Sequence, residues 1–222
     1  LGFTSPFYSG SPNVPRSLVM TGAPYVVPPN EINLANRLQL PQWTVECWVR
    51  LATANETGSL ILRETLPGGN TNYCLRVDNN IPSIWFSTEG GAMYSAAGSI
   101  PLLADEWVHL AGVFNPVQAS LRLYANGGLV VSSNTVENCA LGQISVWRGG
   151  TPSGVVTLGD GVNGLLDEVR IWNVAMANSN ITARFDHFGG GAVDSAFGVL
   201  GTAGGGGVAG AATINLVTNA PI

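Results

Sequence analysis

Residues Gly164–Phe185 read GLLDEVRIWNVAMANSNITARF, and their two halves have different periods. Leu165, Asp167, Val169 and Ile171 alternate with Leu166, Glu168, Arg170 and Trp172. That is the period-two pattern of a strand with two unlike faces. Ala175, Ile181 and Phe185 then predict a short amphipathic turn or helix, with Asn178 or Ser179 available as its N-cap.

Working outward, the same alternation recurs in Thr44–Leu51 (TVECWVRL). Val45, Cys47 and Val49 face one way there, and Glu46, Trp48 and Arg50 the other. Trp107–Phe114 (WVHLAGVF) and Ser120–Tyr124 (SLRLY) form the next pair, and Asn126-Gly127 predicts a hairpin into Leu129–Ser132. Gly58–Arg63, Asn72–Val77, Ser83–Ser87, Ala92–Ala96, Ile144–Trp147 and Val155–Leu158 read as further strands. Ser17–Val27 is a first strand broken at Thr21–Pro24, and Ile32–Leu40 suits one helical turn or a loop. About a dozen short strands result.

Composition agrees. The chain has 222 residues with 29 glycines and 13 prolines spread between short apolar runs. That length can bury one full all-β core, and the many turns favour a sandwich or barrel over helices. Only 10% of residues are charged, against about 25% in an average soluble domain. Serine, threonine, asparagine, glutamine and backbone must therefore cover the surface. The net charge is −5 and no basic patch is visible, which argues against a nucleic-acid partner. No run of about 20 strongly apolar residues offers a membrane span. No basic segment followed by an apolar stretch opens the chain, so any signal peptide is expected to have been removed or never to have been part of this sequence.

Three cysteines, Cys47, Cys74 and Cys139, allow at most one internal disulfide and match no metal motif. Cys47 and Cys74 fall on unlike faces, which argues against that pair; Cys74 with Cys139 is one open pairing, and a small buried or half-buried thiol is the preferred reading of each.

Organisation along the chain divides into an N-terminal arm at 1–15, a sandwich domain at 16–187 and a Gly-rich tail at 188–222. Residues 195–222 carry no charge, and Thr213–Thr218 (TINLVT) could form a strand beyond the glycine run Gly204–Gly207.

Four stretches together resemble the laminin G-like, concanavalin A-like lectin/glucanase jelly-roll superfamily. They are LVMTGAPYVVP, WTVECWVRL, EWVHLAGVFNPVQASLRLYANGGLV and LGDGVNGLLDEVRIWNVAM. The resemblance covers roughly residues 16–187. It implies an all-β, two-sheet antiparallel jelly-roll sandwich with one short helix near its C-terminal side, in a protein of the cell surface or extracellular space. Some relatives hold a structural calcium near the first strand turn. The family's acidic position falls on Asp167, while its first-turn aspartate falls on Thr21, so calcium is a candidate with one carboxylate missing.

Catalysis of glycoside hydrolysis would need two carboxylates roughly 5–10 Å apart across a sugar. Glu46 shares its strand face with Trp48 and Arg50 and no second acid, while Asp105-Glu106 and Asp167-Glu168 point to opposite faces if extended. The expectation is a protein that is not an enzyme. His109, inside a strand, reads as a structural histidine. Flat aromatic rings stack on the apolar faces of sugars. Trp48, Trp107 and Trp172 are assigned to sheet packing and Trp43 to the sandwich edge. That leaves Trp85, Tyr94, Trp147 and Arg148 as candidate ligand-binding residues. Two functions compete. The first is a non-catalytic extracellular module binding a glycan or a protein surface. The second is a structural subunit of an extracellular assembly (filament, sheath or virion decoration) that self-associates through residues 1–15 and 203–222.

Overall fold

The computed structural model describes residues 17–26, 40–64, 71–88, 91–133, 156–188 and 215–217. The arm at 1–15, the segment Ile144–Trp147 and Cys139 lie outside the described residues.

Two sheets face each other. The larger runs β1 (Leu18–Thr21), β12 (Asn163–Trp172), β3 (Trp43–Leu51), β8 (Trp107–Asn115), β9 (Ser120–Ala125) and β10 (Gly128–Ser133), with β13 (Asn215–Val217) added parallel to β12. The smaller runs β2 (Tyr25–Val26), β11 (Val156–Asp160), β4 (Gly58–Glu64), β5 (Thr71–Asp78), β6 (Ile81–Ser87) and β7 (Met93–Ala97). All other pairings are antiparallel. One helix, α1 (Asn178–Phe188), follows β12. This is the jelly-roll sandwich that the family resemblance implies, where the strand pattern alone called for a sandwich or barrel.

The inward faces make the core. Val45, Cys47 and Val49 of β3 are wholly buried there, as their alternation predicts. Trp43, expected at the rim, opens β3 and is fully buried, its ring 5.8 Å from Tyr73, 6.2 Å from Phe86 and 5.8 Å from Phe114. Those rings come from both sheets, so Trp43 ties the layers together. Gly112 of β8 lets the sheets approach: a Cβ there would lie 2.5 Å from Ile84 of β6. Cys47 and Cys74 are buried and free, and the Cys74–Cys139 pairing falls on a residue outside the described ones.

β12 departs from strict alternation. Asp167 pairs with Trp48 but Arg170 pairs with Glu46, so β12 carries one extra residue there. Glu168 is that bulge, with φ 49°, and its N–H is held by Asp167 Oδ1 at 2.8 Å. The faces therefore switch parity. Leu166, Val169 and Ile171 enter the core, while Arg170 and Trp172 lie on the opposite face opposite Glu46 and Thr44. The Asn126-Gly127 hairpin forms as expected, with φ values of 47° and 75°.

Candidate functional site

The two outer sheet faces have opposite fates. On the larger sheet, register places Arg170, Glu46, Ala111 and Tyr124 in one row, with Trp48 beside His109 in the next. Glu46 and His109 are both buried. Glu46 Oε1 accepts from Trp172 Nε1 at 3.0 Å, and its Oε2 lies 3.3 Å from His109 Nε2. Arg170 Nη1 stands 3.9 Å from the same carboxylate, and its Nη2 pairs with Glu168. Glu46 is thus a buried carboxyl group with partners on three sides. His109 is structural, as its position in a strand suggested.

Helix α1 roofs this face. Ile181 and Met176 pack with Ala111, Val113, Tyr124 and Trp172 in a second apolar cluster. Phe185 stacks on Trp48 at 5.7 Å and 24°. Thr44 Oγ1 clasps the approach to the helix, donating to Val174 O at 2.8 Å and accepting from Met176 N at 3.0 Å. Asn178 does not cap the helix through its own side chain. Its Oδ1 accepts from Arg122 Nη1 at 2.9 Å and from the Tyr124 hydroxyl, while Ala177 O receives the first helical N–H from Ile181 at 3.2 Å. The Glu46 face is closed to a large substrate.

The smaller sheet has no described element over its outer face. Register aligns Thr157, Leu62, Cys74, Trp85 and Ser95 in one lateral row across β11, β4, β5, β6 and β7. Ser59, Arg76, Ser83 and Ala97 form the next row, about 7 Å along the strands. Trp85 is half-buried, with its Nε1 shielded from solvent. Arg76 is also half-buried, and its Nε is shielded from solvent without a hydrogen-bond partner. Between them Cys74 Sγ sits 3.5 Å from Ser59 Oγ, and burial pushes its thiol up to about 11, so it is not a nucleophile at neutral pH. A flat indole, a guanidinium and small hydroxyls side by side can stack on and hydrogen-bond a polyol.

Tyr94 does not join Trp85. It pairs with Phe86 and stacks on that ring at 5.3 Å and 22°, on the core side of the sheet. Trp147 and Arg148 lie outside the described residues. Thr21 and Asp167 are not brought together either. Thr21 stands opposite Asn163, four residues and about 13 Å before Asp167 along β12. Asp167 Oδ2 instead accepts from Ser17 Oγ at 3.1 Å. These two residues do not fit one calcium ion, and among the described residues no three His, Cys, Asp or Glu side chains cluster for a metal. Arg76, Ser59, Ser83 and Ser95 were not singled out from sequence. The Asn79-Asn80 turn, with φ 48° and 62°, joins β5 to β6 in the register that puts Arg76 and Ser83 in the row next to Trp85.

Residues 21–182 match the family model described as the concanavalin A-like lectin/glucanases superfamily, of laminin G type. Among solved structures, the carbohydrate-binding module CBM40 of Ruminococcus gnavus IT-sialidase superposes with a TM-score of 0.60 at 15% identity, over 77% of this chain and 96% of that one. The same module bound to α2,3-sialyllactose gives 0.58 at 14% identity, with coverage of 77% and 96%. The binding domain of botulinum neurotoxin serotype D gives 0.53 at 15% identity, over 77% of this chain and 41% of that one. At such identities the likeness is one of fold. No curated protein matches the chain.

Proposed function

The chain belongs to the concanavalin A-like lectin/glucanase superfamily, and from that premise we propose that it is a non-catalytic glycan-binding module whose sugar platform is the outer face of the smaller sheet. The observation that carries this reading is the placement of Trp85. Its indole is half-buried on the one outer face without a described element above it, beside Arg76, Ser83 and Ser95. An aromatic held rigidly in this way stacks on the apolar face of a pyranose with little loss of side-chain entropy. Arg76 adds donors for hydroxyl or carboxylate oxygens. The fold shared with a sialidase-associated carbohydrate-binding module is consistent with this assignment.

The absence of catalysis belongs to the same proposal. Glu46 is enclosed beneath α1, Asp105 is ion-paired with Arg50 at 2.8 Å, and Asp167 and Glu168 are engaged by Ser17 and Arg170. None of these acids offers a facing pair across an open groove. The extracellular setting is part of the proposal too and rests on the family resemblance; among the described residues no helix is long and apolar enough to cross a membrane.

A glycan array of neutral and acidic oligosaccharides tests it. The intact chain should bind at least one glycan class, Trp85→Ala should reduce that signal at least tenfold, and no reducing ends should be released. Binding undiminished in Trp85→Ala, or no binding at all, would contradict the assignment.

A further inference from the structure

β12 has two edges. β3 occupies one of them from Gly164 to Trp172. The other is shared: β1 covers Asn163–Leu166, and β13 covers Arg170–Trp172 in parallel register, Arg170 opposite Asn215, Ile171 opposite Leu216 and Trp172 opposite Val217. The bulge at Glu168 separates the two. Without β13 the backbone of Arg170–Trp172 would present open donors and acceptors at the edge of the larger sheet.

We propose that this stretch of β12 is a strand-acceptor site whose occupant, β13, can be supplied by the same chain or by a second copy. Three observations converge. The contact is only three residues long, so few main-chain bonds hold it closed. It is parallel and set by main-chain pairing, so the same segment from another molecule reproduces it without a new interface. Residues 195–222 carry no charge, so copies of this segment do not repel one another or the acceptor edge. Twenty-six residues lie between Phe188 and Asn215, which at full extension span at most about 90 Å, well beyond one domain's width. A covalently joined occupant competes at an effective concentration on the order of millimolar. Dilute protein therefore closes on itself, and exchange needs crowding on a surface or in an assembly. Residues 1–15, the other segment expected to mediate self-association, take no part in this proposal, which also stands apart from the sugar platform.

The test uses two variants of the chain, one lacking residues 203–222 and one full-length with Leu216→Pro, a residue that paired strands exclude from their interior. A fluorescein-labelled peptide of residues 211–219 is titrated against each by anisotropy, and circular dichroism checks the fold. The expected result is saturable binding to both variants, at least tenfold weaker binding to the intact chain, and no binding of the same peptide carrying Leu216→Pro. Folded variants that ignore the peptide up to 1 mM, or bind the proline peptide equally, would overturn the proposal. Failure of both variants to fold would overturn it as well, since β13 would then be an obligate strand of its own sheet.

Discussion

Among the described residues, three buried ionisable side chains, Glu46, His109 and Arg170, meet on the roofed face. Glu46 is fully enclosed and shared among His109, Trp172 and Arg170. Removing one partner from such a group leaves the rest uncompensated, at a cost of about 3–5 kcal/mol. Glu46→Ala is expected to lose about that much in urea denaturation, and Glu46→Gln less, since the amide still accepts from the Trp172 indole. Glu56 behaves differently because pH reaches it. Burial alone would raise its pKa, but hydrogen bonds from Thr53 Oγ1 at 2.6 Å and Asn163 N at 2.8 Å outweigh that and hold it below its ordinary 4.5. A carboxyl lowered on folding stabilises the fold above its unfolded value and loses that contribution as pH falls through the folded one. The stability gap between the natural chain and Glu56→Gln should therefore be full at pH 7 and shrink below pH 4.5 in thermal melts. A gap that widens on acidification would contradict the assignment. Asp167 has the opposite sign. Burial raises it above 3.8 despite the Glu168 N–H, so its contribution falls as pH climbs through that range.

At the level of elements, helix α1 covers the outer face of the larger sheet. Its hold on the larger sheet rests on Ile181 and on Phe185 stacked over Trp48. Phe185→Ala is predicted to cost about 1–3 kcal/mol and to shift Trp48 fluorescence to the red as water reaches the indole. An unchanged spectrum would mean that the helix does not cover this face in solution. The strands themselves were readable in sequence wherever alternation stayed unbroken. β3 shows Val45, Cys47 and Val49 inward as its letters suggest. β12 shows the limit of that reading. Nothing in Leu-Asp-Glu-Val marks Glu168 as a bulge, because the bulge answers to pairing with β3, a strand more than a hundred residues away. The cap was misread for a related reason. Asn178 has good capping chemistry, but Tyr124 and Arg122 from β9 claim its oxygen. Local propensity yielded to a tertiary partner in both cases.

Across the whole molecule, α1 roofs one sheet, and the other, where recognition is proposed, has no described element over its outer face. The jelly roll was legible from its Trp-His strand, its Asn-Gly hairpin and its Leu-Asp-Glu-Val strand, and residues 21–182 carry the family match. The site was only half legible. Trp85 stood out as a spare aromatic, but Tyr94, its supposed companion, turned inward onto Phe86, because neighbours in an antiparallel pair share a face only when register places them opposite. Arg76 was missed because it reaches Trp85 through a turn rather than through sequence proximity. The open-face account makes a spectroscopic claim that requires no variant. In a two-dimensional 1H–15N titration with the strongest-binding oligosaccharide from the array, the indole signal of Trp85 should move in a saturable way, while those of the buried Trp43 and Trp172 stay in place. A saturable shift at Trp48 or Trp172 with Trp85 unmoved would put the sugar beneath the helix instead and contradict the account.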